Sequence, residues 1–163
     1  MKRNNRRPPA GEHRIHIDRL GHDGRGIGAI DGKTVFVEGA LPGEDVSFRY
    51  VFSRKTFDEG VASQVHTASP ARVEPACPHA DICGGCSMQH LSGDEQLAMK
   101  QRVLFEQLAH FGNVQPREVL PPLVGERYGY RRKARLAVKF VPAKGGVLVG
   151  FREKRTPYIA AID

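Results

Sequence analysis

The three cysteines of the chain all lie in one short stretch, "ACPHADICGGCSMQH", with the spacing C-x5-C-x2-C. Thiolates this close in sequence, with two glycines that permit a tight turn before the last, can converge on one soft metal ion or cluster. An odd number of cysteines in one loop also favours a metal over disulfides. The pattern therefore predicts a metal centre at Cys77, Cys83 and Cys86.

The spacing alone leaves two kinds of metal centre open. Zinc takes four ligands, and His79 or His90 could complete a Cys3His site. An iron–sulfur cluster takes four cysteines, and this chain has three.

The net charge of +7 is concentrated in two blocks of sequence. Residues 1–14 carry five Lys/Arg and one Glu, and residues 127–155 carry ten Lys/Arg and one Glu, whereas the segment between them is net acidic. Clustered cations release counterions from a phosphate backbone on binding, so this distribution favours a polyanionic partner. A solubilising tail and a solvated strand face would give the same pattern.

The first half of the chain has the pattern of a small β-barrel. We expect residues 1–13 to be a disordered basic tail, and residues 14–68 to form short strands separated by turns. Asp31 and Gly32 stand between two apolar runs in "GIGAIDGKTVFVEG", which predicts a tight hairpin. This pattern favours a closed, five-stranded barrel of the OB type, because an open sheet would expose its edges.

Residues 69–163 are predicted to form a second, α+β subdomain that contains the cysteine loop, a helix and a hairpin. The helix is expected in "SGDEQLAMKQRVLFEQLAHFGN", ending at Gly112, with Met99 as a packing residue and an apolar face formed by Leu97, Leu104, Leu108 and Phe111. The hairpin is expected in "YRRKARLAVKFVPAKGGVLVGFREKR", with an apolar face formed by Ala134, Leu136, Val138 and Phe140.

The opposite face of the predicted hairpin carries four cations, Arg131, Lys133, Arg135 and Lys139. Cations of one sign on a strand face repel each other unless an anion neutralises them, which indicates a surface for phosphates. The predicted RNA-binding residues here are Arg131, Arg132, Lys133, Arg135 and Lys139. Arg25 and Lys33 of the barrel are secondary candidates, because OB-like barrels bind single strands through a face and its loops.

The sequence contains no signal for a membrane. No apolar run approaches the roughly 18 residues that span a bilayer, and the basic N-terminus lacks the apolar region of a secretory signal. We expect a cytoplasmic protein without a membrane partner.

Several segments resemble one enzyme family, the bacterial 23S rRNA (uracil-5-)-methyltransferases. "CPHADICGGCSMQHL" resembles their iron–sulfur loop, and "GHDGRGIGAIDGKTVFVEGALPGEDV" resembles their TRAM domain, a small RNA-binding barrel. "YGYRRKARLAVKF" and "VGFREKRTPYIAAID" resemble their central RNA-binding subdomain. The resemblance covers nearly the whole chain, in the order of the family's N-terminal portion.

The resemblance implies a [4Fe-4S] cluster with Cys77, Cys83 and Cys86 as three of its four ligands. The fourth cysteine is expected shortly after Asp163, and His79 becomes a neighbour of the cluster. The resemblance also implies a partner, 23S rRNA, and a second cofactor, S-adenosylmethionine. The α/β methyltransferase domain that binds this cofactor is expected to be absent from these residues. We therefore expect no catalytic residue here, no activity of the chain alone, and no evident protein partner.

Two other functions remain open at this stage. One is a stand-alone RNA-binding module with a structural Cys3His zinc site. The other is a zinc-stabilised protein-interaction domain without a role in nucleic-acid binding.

Overall fold

The structure, a computed structural model, describes residues 7–160 except for the side chain of Lys144. Residues 1–6 of the predicted basic tail therefore lie outside the described residues, whereas Glu12 and His13 belong to the first strand. The elements are β1 Glu12–His16, β2 Arg19–Leu20, β3 Gly26–Ile30, β4 Lys33–Glu38, β5 Asp45–Ser53, β6 Phe57–Thr67, α1 Gly93–Gly112, β7 Ala137–Val141, a 3-10 turn Pro142–Lys144 and β8 Gly146–Gly150.

The first six strands form one sheet in the order β1-β5-β6-β4-β3-β2. Only Ile17 and Asp18 separate β1 from β2, yet β1 pairs with β5 and β2 pairs with β3. The backbone N–H of Asp18 also donates to the carbonyl of Ile27 at 2.9 Å. The bent first strand thus joins both edges of the sheet and closes it, which confirms the predicted OB-like barrel.

The barrel core consists of side chains that alternate with outward-facing ones along the strands. Its buried residues are Ile15, Ile17, Val35, Val37, Ala40, Val46 and Phe48. Burying each of the larger side chains contributes roughly 1.5–3 kcal/mol to folding. Gly60 is required beside Phe48, because a Cβ at this position would overlap the Phe48 ring and lie 2.9 Å from the carbonyl of Arg49.

The predicted tight hairpin connects β3 to β4. Asp31 and Gly32 both adopt positive φ angles, 50° and 75°. A two-residue turn with this geometry matches the right-handed twist of the strands, and Asp-Gly is among the few residue pairs that adopt it readily.

The helix α1 begins directly after Ser92 and ends at Gly112, as the sequence predicts. Met99 is its buried residue, which confirms the expected packing role. The predicted apolar face is wrong at two positions, since Leu104 is 53% exposed and Phe111 is 81% exposed. Periodicity identifies an apolar stripe, but burial requires a neighbouring element, and the described residues place none over this part of the helix.

The hairpin of β7 and β8 is shorter than predicted. Residues 131–136 are not in a strand, so Arg131, Lys133 and Arg135 do not lie on a strand face with Lys139. A strand persists only where a partner supplies ladder hydrogen bonds, and β8 pairs with β7 only as far as Gly150 opposite Ala137. Beyond Gly150 the chain turns to other partners, and Arg152 pairs with Ile159.

The chain divides into two compact units. The first contains the barrel and its connector up to Glu74, together with His90–Leu104. The second contains Pro75–Gln89 and the chain from Phe105 onward. Within the described residues, no helix is both long enough and apolar enough to cross a membrane.

Candidate metal loop and nucleic-acid interface

The backbone of the cysteine loop is held by short-range hydrogen bonds. The N–H of Ala80 donates to the carbonyl of Cys77 at 3.1 Å. The N–H groups of Ile82 and Cys83 both donate to the carbonyl of His79, at 3.1 and 2.8 Å. These turns fix the path of the chain between the first two cysteines.

The second half of the loop docks onto the segment that follows β8. Cys83 forms an antiparallel bridge with Glu153, and the N–H of Gly84 donates to the carbonyl of Arg152 at 2.8 Å. The N–H of Lys154 donates back to the carbonyl of Ile82 at 2.8 Å. The docked segment is part of "VGFREKR", so the structure joins two of the segments on which the family resemblance rests.

The two glycines of the loop permit this docking. A Cβ on Gly84 would lie 2.8 Å from the carbonyl oxygen of Arg152, and one on Gly85 would lie 3.1 Å from the ring of Phe151. The sequence predicts glycines for a tight turn, whereas the structure shows that they are needed for close approach to another segment. That reason depends on tertiary contact, so spacing could not reveal it.

The three thiols differ in their surroundings. Cys83 is buried and its Sγ accepts a hydrogen bond from the N–H of Gly85 at 3.4 Å, Cys77 is half-buried and Cys86 is exposed. Among the described residues, no group of three or more His, Cys, Asp or Glu side chains is gathered to hold a metal ion. His79 and His90, the predicted fourth ligands for zinc, therefore join no such group. The metal ligands remain a prediction from donor chemistry and spacing.

The predicted RNA-binding cations of the second unit are all exposed. Arg131, Arg132, Lys133 and Arg135 lie in the irregular segment before β7, and Lys139 lies within β7. The guanidinium of Arg131 lies 6.0 Å from the ring centroid of Tyr130. These side chains are accessible to a polyanion, although they are neighbours in sequence rather than members of one strand face.

Arg25, one of the two barrel candidates, is already paired. Its Nε contacts Asp23 Oδ2 at 2.7 Å, and its Nη1 lies 3.4 Å from Glu59 Oε1. Burial by itself would raise the pKa of Asp23, but the backbone N–H and the guanidinium of Arg25 outweigh it and hold that pKa below its usual value. A phosphate would have to compete with these carboxylates for Arg25.

Lys33, the other barrel candidate, is paired as well. Its Nζ lies 2.6 Å from Oδ1 of the buried Asp58 and donates a longer hydrogen bond to Ser53 Oγ at 3.4 Å. This pair satisfies a buried carboxylate, which indicates a structural contribution at this position.

Sequence reasoning missed an aromatic surface on the outside of the barrel. Phe36, Phe52 and Phe57 are half-buried and contact one another there. The signal is present in the sequence, because Phe36 lies between Val35 and Val37, and alternation places it on the face opposite the core.

The first half of the chain matches a known domain family. Residues 11–51 match the family model described as the TRAM domain. The barrel is therefore a TRAM domain, as the resemblance predicted.

The chain as a whole is similar to a group of rRNA-modifying enzymes, the 23S rRNA (uracil(1939)-C(5))-methyltransferases RlmD. It is 53% identical to the enzyme of Alcanivorax borkumensis over 99% of this chain and 36% of the relative. The identity is 53% for Alkalilimnicola ehrlichii, over 100% of this chain and 37% of the relative, and 57% for Nitrosococcus oceani, over 90% and 33%.

These matches confirm the predicted resemblance. The chain is similar to these methyltransferases over 90–100% of its own length, and it spans about a third of the length of the curated relatives that it matches. That share is consistent with the N-terminal portion that the resemblance implied.

Proposed function

We propose that this chain is the rRNA-recognition portion of a 23S rRNA uracil-C5 methyltransferase, an enzyme that forms 5-methyluridine with S-adenosylmethionine as methyl donor. The observation that carries the proposal is the identity of 53% over the whole chain with relatives whose names state this reaction. A cytoplasmic location is part of the proposal, because bacterial ribosomal RNA is found there.

RNA binding is assigned first to the TRAM barrel and to the cations before and within β7. Five exposed Lys/Arg side chains in residues 131–139 supply the electrostatic part of the binding free energy through counterion release. Contacts of this kind bring the RNA close and orient it but carry no sequence information, which must come from base contacts elsewhere.

The cysteine loop is proposed to hold three of the four thiolate ligands of a [4Fe-4S] cluster. The donor set fits, because thiolates are the ligands of such clusters, and Cys77, Cys83 and Cys86 are the only cysteines of the chain. When bound, a cluster of this kind ties chain segments together and can accept or release an electron. The N–H of Gly85 already donates to Cys83 Sγ, and hydrogen bonds to the sulfur are among the contacts that tune such centres.

Methyl transfer itself is assigned to residues beyond this chain. The described strands form a barrel and a two-stranded hairpin, rather than the open parallel α/β sheet at whose switch point such cofactors bind. The target base must leave its RNA structure to be reached. The contribution of this chain is to hold the surrounding RNA while that occurs.

A binding assay that compares two RNAs tests the proposal. The chain should bind a 23S rRNA segment that surrounds uridine 1939, the position named for the relatives, more tightly than a scrambled RNA of equal length. Equal affinity for both would contradict a role in rRNA recognition. The names of the relatives give no support to the alternative of a stand-alone module with a Cys3His zinc site, and measurement of the bound metal separates the two.

A further inference from the structure

The outer face of the barrel carries three phenylalanine rings. Of the four phenylalanines in the barrel strands, only Phe48 is in the core, while Phe36, Phe52 and Phe57 are half-buried. Exposed aromatic surface on a small domain is unfavourable in water and often marks a binding site.

The three rings form one continuous surface, called here the ring patch. Phe57 contacts Phe36 edge to face, with centroids 5.6 Å apart, and its centroid lies 6.5 Å from that of Phe52. The rings come from β4, β5 and β6, which are adjacent in the sheet. The patch is therefore positioned by the most extensively paired part of the barrel.

Two arginines lie over the ring patch, and they differ in whether a carboxylate is paired with them. The Cζ of Arg25 is 4.8 Å from the Phe36 centroid, and this guanidinium is neutralised by Asp23 and Glu59. The Cζ of Arg54 is 5.1 Å from the Phe52 centroid and 5.5 Å from the Phe57 centroid.

Arg54 and the adjacent Lys55 supply the free positive charge at the edge of the patch. Both side chains are exposed, and within the described part of the chain no carboxylate forms an ion pair with either. An exposed cation beside an aromatic surface is the combination that binds a base and its phosphate together.

We propose that the ring patch stacks on unpaired bases of single-stranded RNA, while Arg54 and Lys55 contact the adjoining phosphates. This inference rests on the proposed function and adds the kind of RNA that the barrel takes. Paired bases hide their faces, so a stacking surface selects single-stranded or splayed nucleotides. The exposed cations Arg54 and Lys55 at the edge of the patch favour a nucleic acid over an apolar protein surface as the occupant.

Replacement of the rings by leucine tests the inference. Phe52→Leu and Phe57→Leu keep an apolar side chain but remove the flat π surface, so each should weaken binding of a single-stranded RNA oligonucleotide roughly tenfold. An abasic oligonucleotide of equal length should bind these variants and the wild-type chain equally. Phe111→Leu, at an exposed phenylalanine of α1, is the matched control and should change neither affinity.

Two further variants keep the test decisive if leucine perturbs the barrel. Phe57→Tyr retains the stacking surface and should bind as the wild-type chain does. Arg54→Gln alters an exposed side chain outside the core and should weaken the RNA and the abasic oligonucleotide alike.

The outcomes separate this inference from the proposed function. Tight RNA binding that Phe52→Leu and Phe57→Leu leave unchanged would overturn the ring patch alone. Equal wild-type affinity for RNA and abasic oligonucleotide would do the same. A folded wild-type chain that binds no RNA would overturn both.

Discussion

At the scale of single residues, the buried carboxylate of Glu44 binds the connector that follows β6 to the barrel. Its side chain is fully buried, and Arg72 donates to both carboxylate oxygens, at 2.6 and 2.8 Å. The N–H groups of Leu41 and Ser69 complete its hydrogen bonds at 2.8 and 3.1 Å. The connector after β6 is thereby tied to the turn before β5.

We expect Glu44→Gln to lower the free energy of unfolding by about 2–3 kcal/mol, because Arg72 would lose its charged partner in a largely buried site. Urea denaturation measures this change. Asp45→Asn, at the next residue, removes a carboxylate from an exposed pair with His16 and should stay within about 0.5 kcal/mol of the wild-type chain. An equal decrease in the free energy of unfolding for the two variants would contradict the role of the buried Glu44 in holding the connector.

The same carboxylate gives the fold a pH dependence. Burial alone would raise the pKa of Glu44, but the hydrogen bonds from Arg72, Ser69 and Leu41 and the charge of Arg72 outweigh it and lower that pKa. A lowered folded-state pKa contributes stability that is present above the unfolded value, about pH 4.3, and is lost as the pH falls through the folded value. Unfolding at a series of pH values should show this loss, and Glu44→Gln should reduce it. An identical pH profile for the variant would contradict this assignment.

The cations before β7 are expected to act on RNA through charge. Replacing Arg131, Lys133 and Arg135 together by Ala should weaken rRNA binding and reduce the slope of log affinity against log salt by roughly 0.7–0.9 per lost contact. Lys100→Ala removes an exposed cation of α1 and is the control. An unchanged slope for the triple variant would show that these side chains do not contact the RNA phosphates.

At the scale of elements, local rules predict the barrel well. The alternation around Val46 and Phe48 and the Asp31-Gly32 turn each depend on neighbours in sequence, and the structure reproduces them. The errors occur where tertiary partners decide. Leu104 lies on an apolar stripe but is 53% exposed among the described residues, and Arg131 precedes β7 because β8 supplies no further ladder partner.

The docking of the cysteine loop gives a prediction at this scale. Gly84→Ala would place a Cβ 2.8 Å from the carbonyl oxygen of Arg152, so the loop should separate from that segment. We expect faster hydrogen exchange at the amides of residue 84 and Lys154, whose hydrogen bonds join the two segments. Gly146→Ala adds a Cβ in open space and should leave both amides unchanged. Unaltered protection in Gly84→Ala would show that this close approach does not hold the loop.

The metal centre proposed for the cysteine loop gives a second prediction at this scale. The full-length protein that contains this chain, purified without oxygen, should hold iron and sulfide, and Cys83→Ser should lose both. The thiol of Cys83 is expected to matter because it is buried and already accepts a hydrogen bond from Gly85. Stoichiometric zinc without sulfide would contradict the cluster and favour the Cys3His site.

At the scale of the whole molecule, recognition and chemistry are expected to reside in different parts of the protein. All three cysteines are proposed to hold the cluster, which would leave none as a nucleophile, and the described strands offer no open parallel sheet for a cofactor. Calorimetric titration of this chain with S-adenosylmethionine should therefore show no binding, and radiolabelled methyl transfer to 23S rRNA should stay at background. The full-length protein is the positive control. Labelling of rRNA by the chain alone would show that catalytic groups lie within it.

The most direct test of the central claim is a competition between two RNAs for this chain. A 23S rRNA segment around uridine 1939 and a scrambled RNA of equal length should be compared by filter binding over a range of salt concentrations. The proposed role predicts tighter binding of the rRNA segment at every salt concentration, with a steep loss of affinity for both RNAs as salt rises. Indistinguishable affinities for the two RNAs would contradict rRNA recognition by this chain.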